Sequence, residues 1–154
     1  MTRYDSLYLT IALALDLGLD MSQADIKSAF VNGDLHEEVW IIPPPGIGLD
    51  GKVLHLLKSL YGLKQAPLAW FERLSSALAE LGFLSCSFDS CVFISPEYNV
   101  IILIYVDDIT TVGTKSDMHK VYQHPTKHFT IMIKEGLFYL LRIEILYTAT
   151  SLKL

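Results

Sequence analysis

Two adjacent carboxylates close an apolar run: Val100-Ile101-Ile102-Leu103-Ile104-Tyr105-Val106 leads directly into Asp107-Asp108, then Ile109-Thr110-Thr111-Val112-Gly113. The run is short and rich in β-branched residues, which reads as a strand buried on both faces. It is too short to cross a bilayer, which takes about 20 apolar residues. Carboxylates beside such a strand are costly to bury unless they are paired or bound to metal. A hairpin tip would present both at the sheet edge, where hard cations take oxygen ligands. A plain β-turn explains Asp-Asp as well, because Asp is a favoured turn residue. A third carboxylate, Asp25, stands far upstream in Met21-Ser22-Gln23-Ala24-Asp25-Ile26-Lys27-Ser28-Ala29-Phe30. Its bland reading is a helix N-cap for the segment that follows.

The elements that must position these groups are legible in outline. Residues 6–18 read as a helix, capped by Ser6 or Asp5 and stopped at Gly18. Being apolar nearly all round, it is expected to be buried under a sheet. Met21 to Ile26 is a strand that delivers Asp25 to a sheet end. Asn32-Gly33-Asp34 signals a turn, and Leu35-His36-Glu37-Glu38 a short acidic turn or helix. Val39 to Ile42, closed by Pro43-Pro44-Pro45-Gly46, pairs as a hairpin with Val53 to Leu57. A helix from Ala66 to Leu81 carries Trp70, Phe71, Leu74, Ala77, Leu78 and Leu81 at helical spacing, with Pro67 in its first turn and Gly82 at its end. Phe83 to Cys86 and Cys91 to Ile94 are strands around Ser87-Phe88-Asp89-Ser90, and Pro96-Glu97-Tyr98-Asn99 turns into the Val100 strand.

Three blocks then stand in order: Asp25-Ile26-Lys27-Ser28-Ala29-Phe30-Val31-Asn32-Gly33-Asp34-Leu35, Ser59-Leu60-Tyr61-Gly62-Leu63-Lys64-Gln65-Ala66-Pro67 and Tyr105-Val106-Asp107-Asp108. The last resembles the YVDD box of reverse transcriptases. Together they resemble the polymerase of copia-type LTR retrotransposons, from about residue 8 to about residue 145. The resemblance implies an α+β fold: a palm whose antiparallel sheet is backed by helices in the ferredoxin-like manner, with partial fingers. It implies one domain over 1–154, a fingers-like insertion at about 36–63, and a chain that stops before thumb and RNase H, hence a fragment.

By the same resemblance Asp25 and Asp107 would bridge two Mg²⁺ ions, with Mn²⁺ a possible substitute, Asp108 assisting or structural, and the carbonyl of Ile26 beside them. Two such ions, about 4 Å apart, stabilise attacking and leaving oxygens in phosphoryl transfer. Phe30 would stack beneath the incoming sugar and exclude a ribose 2′-OH; an ordinary core residue is the alternative. Tyr61, Gly62 and Lys64 would bind the nucleotide, with Tyr61 as packing and Lys64 as solvated charge left open. Leu141 and Arg142 fall in a strand associated with holding the primer, where Arg142 replaces the family's glycine. The implied partners are a primed RNA or DNA template, dNTP and the rest of a polyprotein, in cytoplasmic virus-like particles, with no membrane.

Several features pull the other way. From residue 114 to 154 the agreement decays: Pro125 would break the expected helix over Thr114 to His128, and Ile131-Met132-Ile133-Lys134-Glu135 replaces the expected Met-Lys-Asp-Leu-Gly. The formal charge is −5, from 12 basic and 17 acidic residues. That balance argues against autonomous grip on nucleic acid, because phosphate contacts carry most of such affinity. A catalytically inactive remnant or interaction module is therefore the second reading, and a single-stranded nucleic-acid binder without chemistry the third. Cys86 and Cys91 lack companion ligands and read as buried thiols. The opening residues are not expected to be a signal peptide, since Asp5 interrupts the basic start, Asp16 follows the apolar run and no small-residue cleavage site appears, and the 51% hydrophobic, 19% charged composition is that of a globular chain.

Overall fold

A computed structural model describes residues 2–123, 129–134, 138–140, 143–148 and 151–153, with side chains described as far as Lys134. The chain divides into two compact units, residues 28–75 and the remainder.

The larger unit is built on a six-stranded antiparallel sheet. Its strands are β1 (Asp20–Ile26), β4 (Leu84–Ser85), β5 (Val92–Ser95), β6 (Val100–Tyr105), β7 (Asp108–Gly113) and β8 (Ile131–Lys134), with β2 and β3 lying in the other unit. The spatial order is β4-β5-β6-β7-β1-β8, so the two strands of the YVDD hairpin lie at the centre and β1 lies beside β7. Alternation sorts the side chains onto two faces. One face carries Met21, Val92, Leu103 and Val112, packed against Leu7, Ile11 and Ala14 of α1 (Tyr4–Asp16). The opposite face carries Ser22, whose hydroxyl meets the hydroxyl of Tyr122 and the sulfur of Met118. Both partners belong to α3 (Lys115–Gln123). Covered on both sides, β6 is as apolar as its sequence requires.

Helix α1 packs on the sheet as expected, but it also lies at the surface. It covers a single sheet face, so only one stripe is buried, while Tyr4, Tyr8, Leu9, Leu13 and Leu15 face outward and are exposed. It also starts earlier than residue 6. Arg3 is its N-cap and no side chain caps it; Ser6 instead donates from within the helix to Asp89 Oδ2 at 2.7 Å, as does the backbone N–H of Arg3 at 2.9 Å. The stop is as read: Gly18 has φ +63, and the N–H groups of Gly18 and Leu19 bond back to Leu15 and Ala14. These are the two bonds that satisfy the last carbonyls of a helix when a glycine takes the left-handed position.

The smaller unit holds a 3-10 turn at Ala29–Asn32, the hairpin of β2 (Val39–Ile41) and β3 (Leu54–Leu56), and the first part of α2 (Ala66–Glu80). Helix α2 has the expected bounds within a residue, and Trp70, Leu74, Ala77 and Leu78 are buried. Gly33 serves a close approach as well as a turn: a Cβ there would meet the Trp70 nitrogen at 2.9 Å and the Ala69 carbonyl carbon at 3.0 Å. The Leu35 to Glu38 stretch forms bends without a helix.

Beyond α3, which ends at Gln123, Pro125 lies outside the described residues. In place of the single strand expected around Leu141 and Arg142 there are two antiparallel strands, β9 (Phe138–Leu140) and β10 (Ile143–Thr148), and β11 (Ser151–Lys153) completes a separate three-stranded sheet. Leu141 and Arg142 lie outside the described residues. No helix among the described residues is long and apolar enough to cross a membrane.

Candidate active site

The β6–β7 connection is as tight as a hairpin can be. Tyr105 pairs with Asp108, leaving Val106 and Asp107 as a two-residue turn. Val106 has φ +58, and Asp107 is not in the left-handed region. This is the II′ pattern, whose first central position normally belongs to glycine. A β-branched residue held there is a true outlier and costs about 1–3 kcal/mol. The strained turn sets Asp107 at the hairpin tip, next to Asp108 at the start of β7.

On its other side β7 pairs with β1 in a register that sets Asp25 directly opposite Asp108. Cross-strand partners share a face with about 4.5–5.5 Å between Cβ atoms, and like charges so placed repel. The face is the one that α1 covers at the Met21–Val112 end; the carboxylates occupy the other end of the same strands. Burial, reinforced by the Asp107 charge and more weakly by that of Asp25, raises the Asp108 carboxyl above its ordinary value of 3.8. Two groups oppose the shift: Gln23 Nε2 donates to Asp108 Oδ1 at 3.1 Å, and the Lys134 charge acts on the same carboxyl. Asp25 lies within β1 and the residue capping the 3-10 turn is Ser28, so the N-cap alternative for Asp25 is excluded. Among the described residues, no three His, Cys, Asp or Glu side chains form a ready metal cluster. The donor set is nonetheless what a hard divalent cation takes: carboxylate oxygens, two in register and one adjacent.

The nucleotide-binding candidates lie in the smaller unit. Phe30 is 8% exposed, and its ring meets Tyr61 edge-on at 5.3 Å, while Tyr61 itself is 80% exposed. The Leu63 N–H bonds to the Leu60 carbonyl and Gly62 has φ +97, so Tyr61 and Gly62 are the centre of a type II turn that glycine makes possible. Lys64 is exposed. The Ile26 side chain is buried.

Over its whole length, residues 1–154, the chain matches the model of the family described as reverse transcriptase (RNA-dependent DNA polymerase). The chain belongs to the reverse transcriptase family. It is 34% identical over 155 residues to the retrovirus-related Pol polyprotein from transposon RE1 of Arabidopsis thaliana, covering 97% of this chain and 11% of that protein. To the corresponding polyprotein from transposon TNT 1-94 of Nicotiana tabacum it is 41% identical over 109 residues, 67% of this chain and 8% of the relative. The transposon Ty1-BL Gag-Pol polyprotein of Saccharomyces cerevisiae is 37% identical over 116 residues, 75% of this chain and 6% of the relative. These are copia-type retrotransposon polyproteins, and the chain spans about a tenth of their length or less. The small α+β fold, with its antiparallel sheet and three α-helices among the described residues, agrees with a reverse transcriptase domain.

Sequence reasoning passed over Gln23, Lys134 and Asp89. Gln23 was findable: it precedes Asp25 by two positions on an alternating strand, so the two side chains share a face. Lys134 pairs with Gln23 across β1 and β8 and needed that register to be noticed. Asp89, placed between two strands without a role of its own, accepts from the Arg3 N–H, the Ser6 hydroxyl and the Cys91 N–H.

Proposed function

We propose that this chain is the palm with part of the fingers of a copia-type RNA-directed DNA polymerase, adding nucleotides to a primer 3′-OH. The observation that carries the reading is the register of Asp25 against Asp108 beside the strained Val106–Asp107 turn. Asp25, Asp107 and Asp108 would hold Mg²⁺, with Mn²⁺ able to replace it and the Ile26 carbonyl alongside. Bound there, divalent cations supply charge neutralisation at the attacking and leaving oxygens. The primer oxygen bonds to the α-phosphorus of a dNTP as the bond to pyrophosphate breaks. Within the chain, Gln23 and Lys134 temper the charge at Asp108. Tyr61 and Lys64 offer an exposed ring and an exposed cation to the nucleotide. Phe30, in edge contact with Tyr61, would limit the volume beside the sugar. Leu141 and Arg142 would hold the primer. A primed RNA or DNA template, the remaining polyprotein domains and a cytoplasmic virus-like particle complete the proposed setting.

Primer extension on an RNA template with Mg²⁺ or Mn²⁺, with Asp107→Asn as control, tests the reading. Extension by the native chain that the variant lacks supports it; a folded native chain that extends nothing rejects it for this chain. The alternative is a non-enzymatic remnant. It is favoured by the carboxylates not forming a ready metal cluster among the described residues and by the acidic net charge of −5.

A further inference from the structure

We propose that Gln23 is a positioning residue for Asp108, its side-chain amide holding one carboxylate oxygen so that the group meets a divalent cation in one orientation. This rests on the reading of Asp25, Asp107 and Asp108 as the cation-holding set. Gln23 is 5% exposed, on the central part of β1, and shares the Asp25 face. An apolar side chain would fill that position without the cost of desolvating an amide. The amide is instead aimed at the one aspartate of the three that is squeezed between two like charges, with Nε2 donating to Oδ1 at 3.1 Å. Left to electrostatics alone, the Asp108 carboxylate would turn away from Asp25 and Asp107. The bond from Gln23 opposes that rotation from a side chain that is itself fixed by burial in the sheet. Lys134, exposed on the edge strand β8, attracts the same carboxylate without fixing its orientation, because an ammonium on a flexible stem is a point charge. Outer hydrogen-bond partners of ligating carboxylates are worth about 10–100-fold in metal affinity.

The test is a Mn²⁺ titration of the 154-residue chain followed by electron paramagnetic resonance, with Gln23→Met, Asp108→Ala and the double variant. Gln23→Met is expected to weaken Mn²⁺ binding about tenfold or more when Asp108 is present, and by less than about twofold in the Asp108→Ala background. Equal losses in both backgrounds would mean that Gln23 acts through general packing, which overturns the proposal. Should Gln23→Met fail to fold, the proton–nitrogen spectrum of the otherwise native chain decides. The Gln23 side-chain amide should lie downfield and shift upfield in Asp108→Ala, and an unmoved signal overturns the proposal. A native chain that binds no Mn²⁺ would sink the cation-site reading itself, while the amide signal still reports whether Gln23 holds Asp108.

Discussion

The sheet around Asp25 and Asp108 and the unit around Tyr61 solve opposite problems. In the sheet, β7 and β1 each have two strand neighbours, and buried side chains on both faces pin the register that pairs the aspartates. In the smaller unit the hairpin strands are three residues each, and Trp40, Ile42, Leu57 and Tyr61 stay exposed. An isolated two-stranded hairpin is marginal in water. This one adds the stacked pair Trp40–His55 at 4.5 Å and surface polar pairs such as Lys58–Asp34 and His36–Glu72. Asp25 and Asp108 are held in backbone ladders, whereas Tyr61 stands on a turn and is left in water.

That contrast can be broken or sharpened by substitution. The largest effect is expected at Asp25→Asn, which should lower primer extension by about 10³-fold with little change in melting temperature; a mild loss would dissolve the distinction. Next come two glycines, one in each unit. Gly33→Ala drives a methyl into helix backbone and should cost about 2–3 kcal/mol. Gly113→Ala meets a Val100 methyl at 2.9 Å and the Asn99 carbonyl at 3.2 Å, and should cost about 1–2 kcal/mol in urea melts. The reverse order would mean that the sheet yields less than the hairpin unit.

Asp89→Asn should cost about 1.5–2 kcal/mol at neutral pH, because it removes a charged acceptor at the start of α1. Its pH dependence has a definite sign. Burial alone would raise the Asp89 carboxyl, but hydrogen bonds from Arg3, Ser6 and Cys91 outweigh it and hold the carboxyl below its ordinary 3.8. The stabilisation is therefore present above that value and lost as pH falls below it, where the unfolded chain binds more protons. Melts between pH 3 and 7 should show the native slope flattened in the variant; an unchanged slope removes Asp89 from the account. Smaller still, Val106→Gly should stabilise by about 1 kcal/mol by relieving the left-handed valine. The smallest stability effect belongs to Tyr61→Ala, within about 0.5 kcal/mol for so exposed a ring. If Tyr61 touches substrate, that variant should raise KM for dNTP and leave the melting curve alone.

What the sequence disclosed follows the same division. The hairpin, β1 and α2 were legible because each is a local pattern: an apolar run ended by Asp-Asp, a short strand before Asp25, a stripe at helical spacing. The exposed side of α1 was not, because an apolar helix looks alike whether one sheet face or two surround it. Nor were the Asp89–Ser6 and Gln23–Asp108 bonds, which join residues 83 and 85 positions apart. The strain at Val106 was hidden by its own neighbours, since valine continues the β-rich run.

The Asp25–Asp108 register also bears on which length changes the chain can absorb. Strand side chains alternate, so losing a single codon between Met21 and Asp25 would send every later residue of β1 to the opposite face. Asp25 would then point away from Asp108, although every remaining residue was intact. Between Ile42 and Val53 the same deletion falls in loop residues and alters no strand parity. A length change in that loop should therefore leave the Asp25–Asp108 register intact, and one in β1 should abolish it.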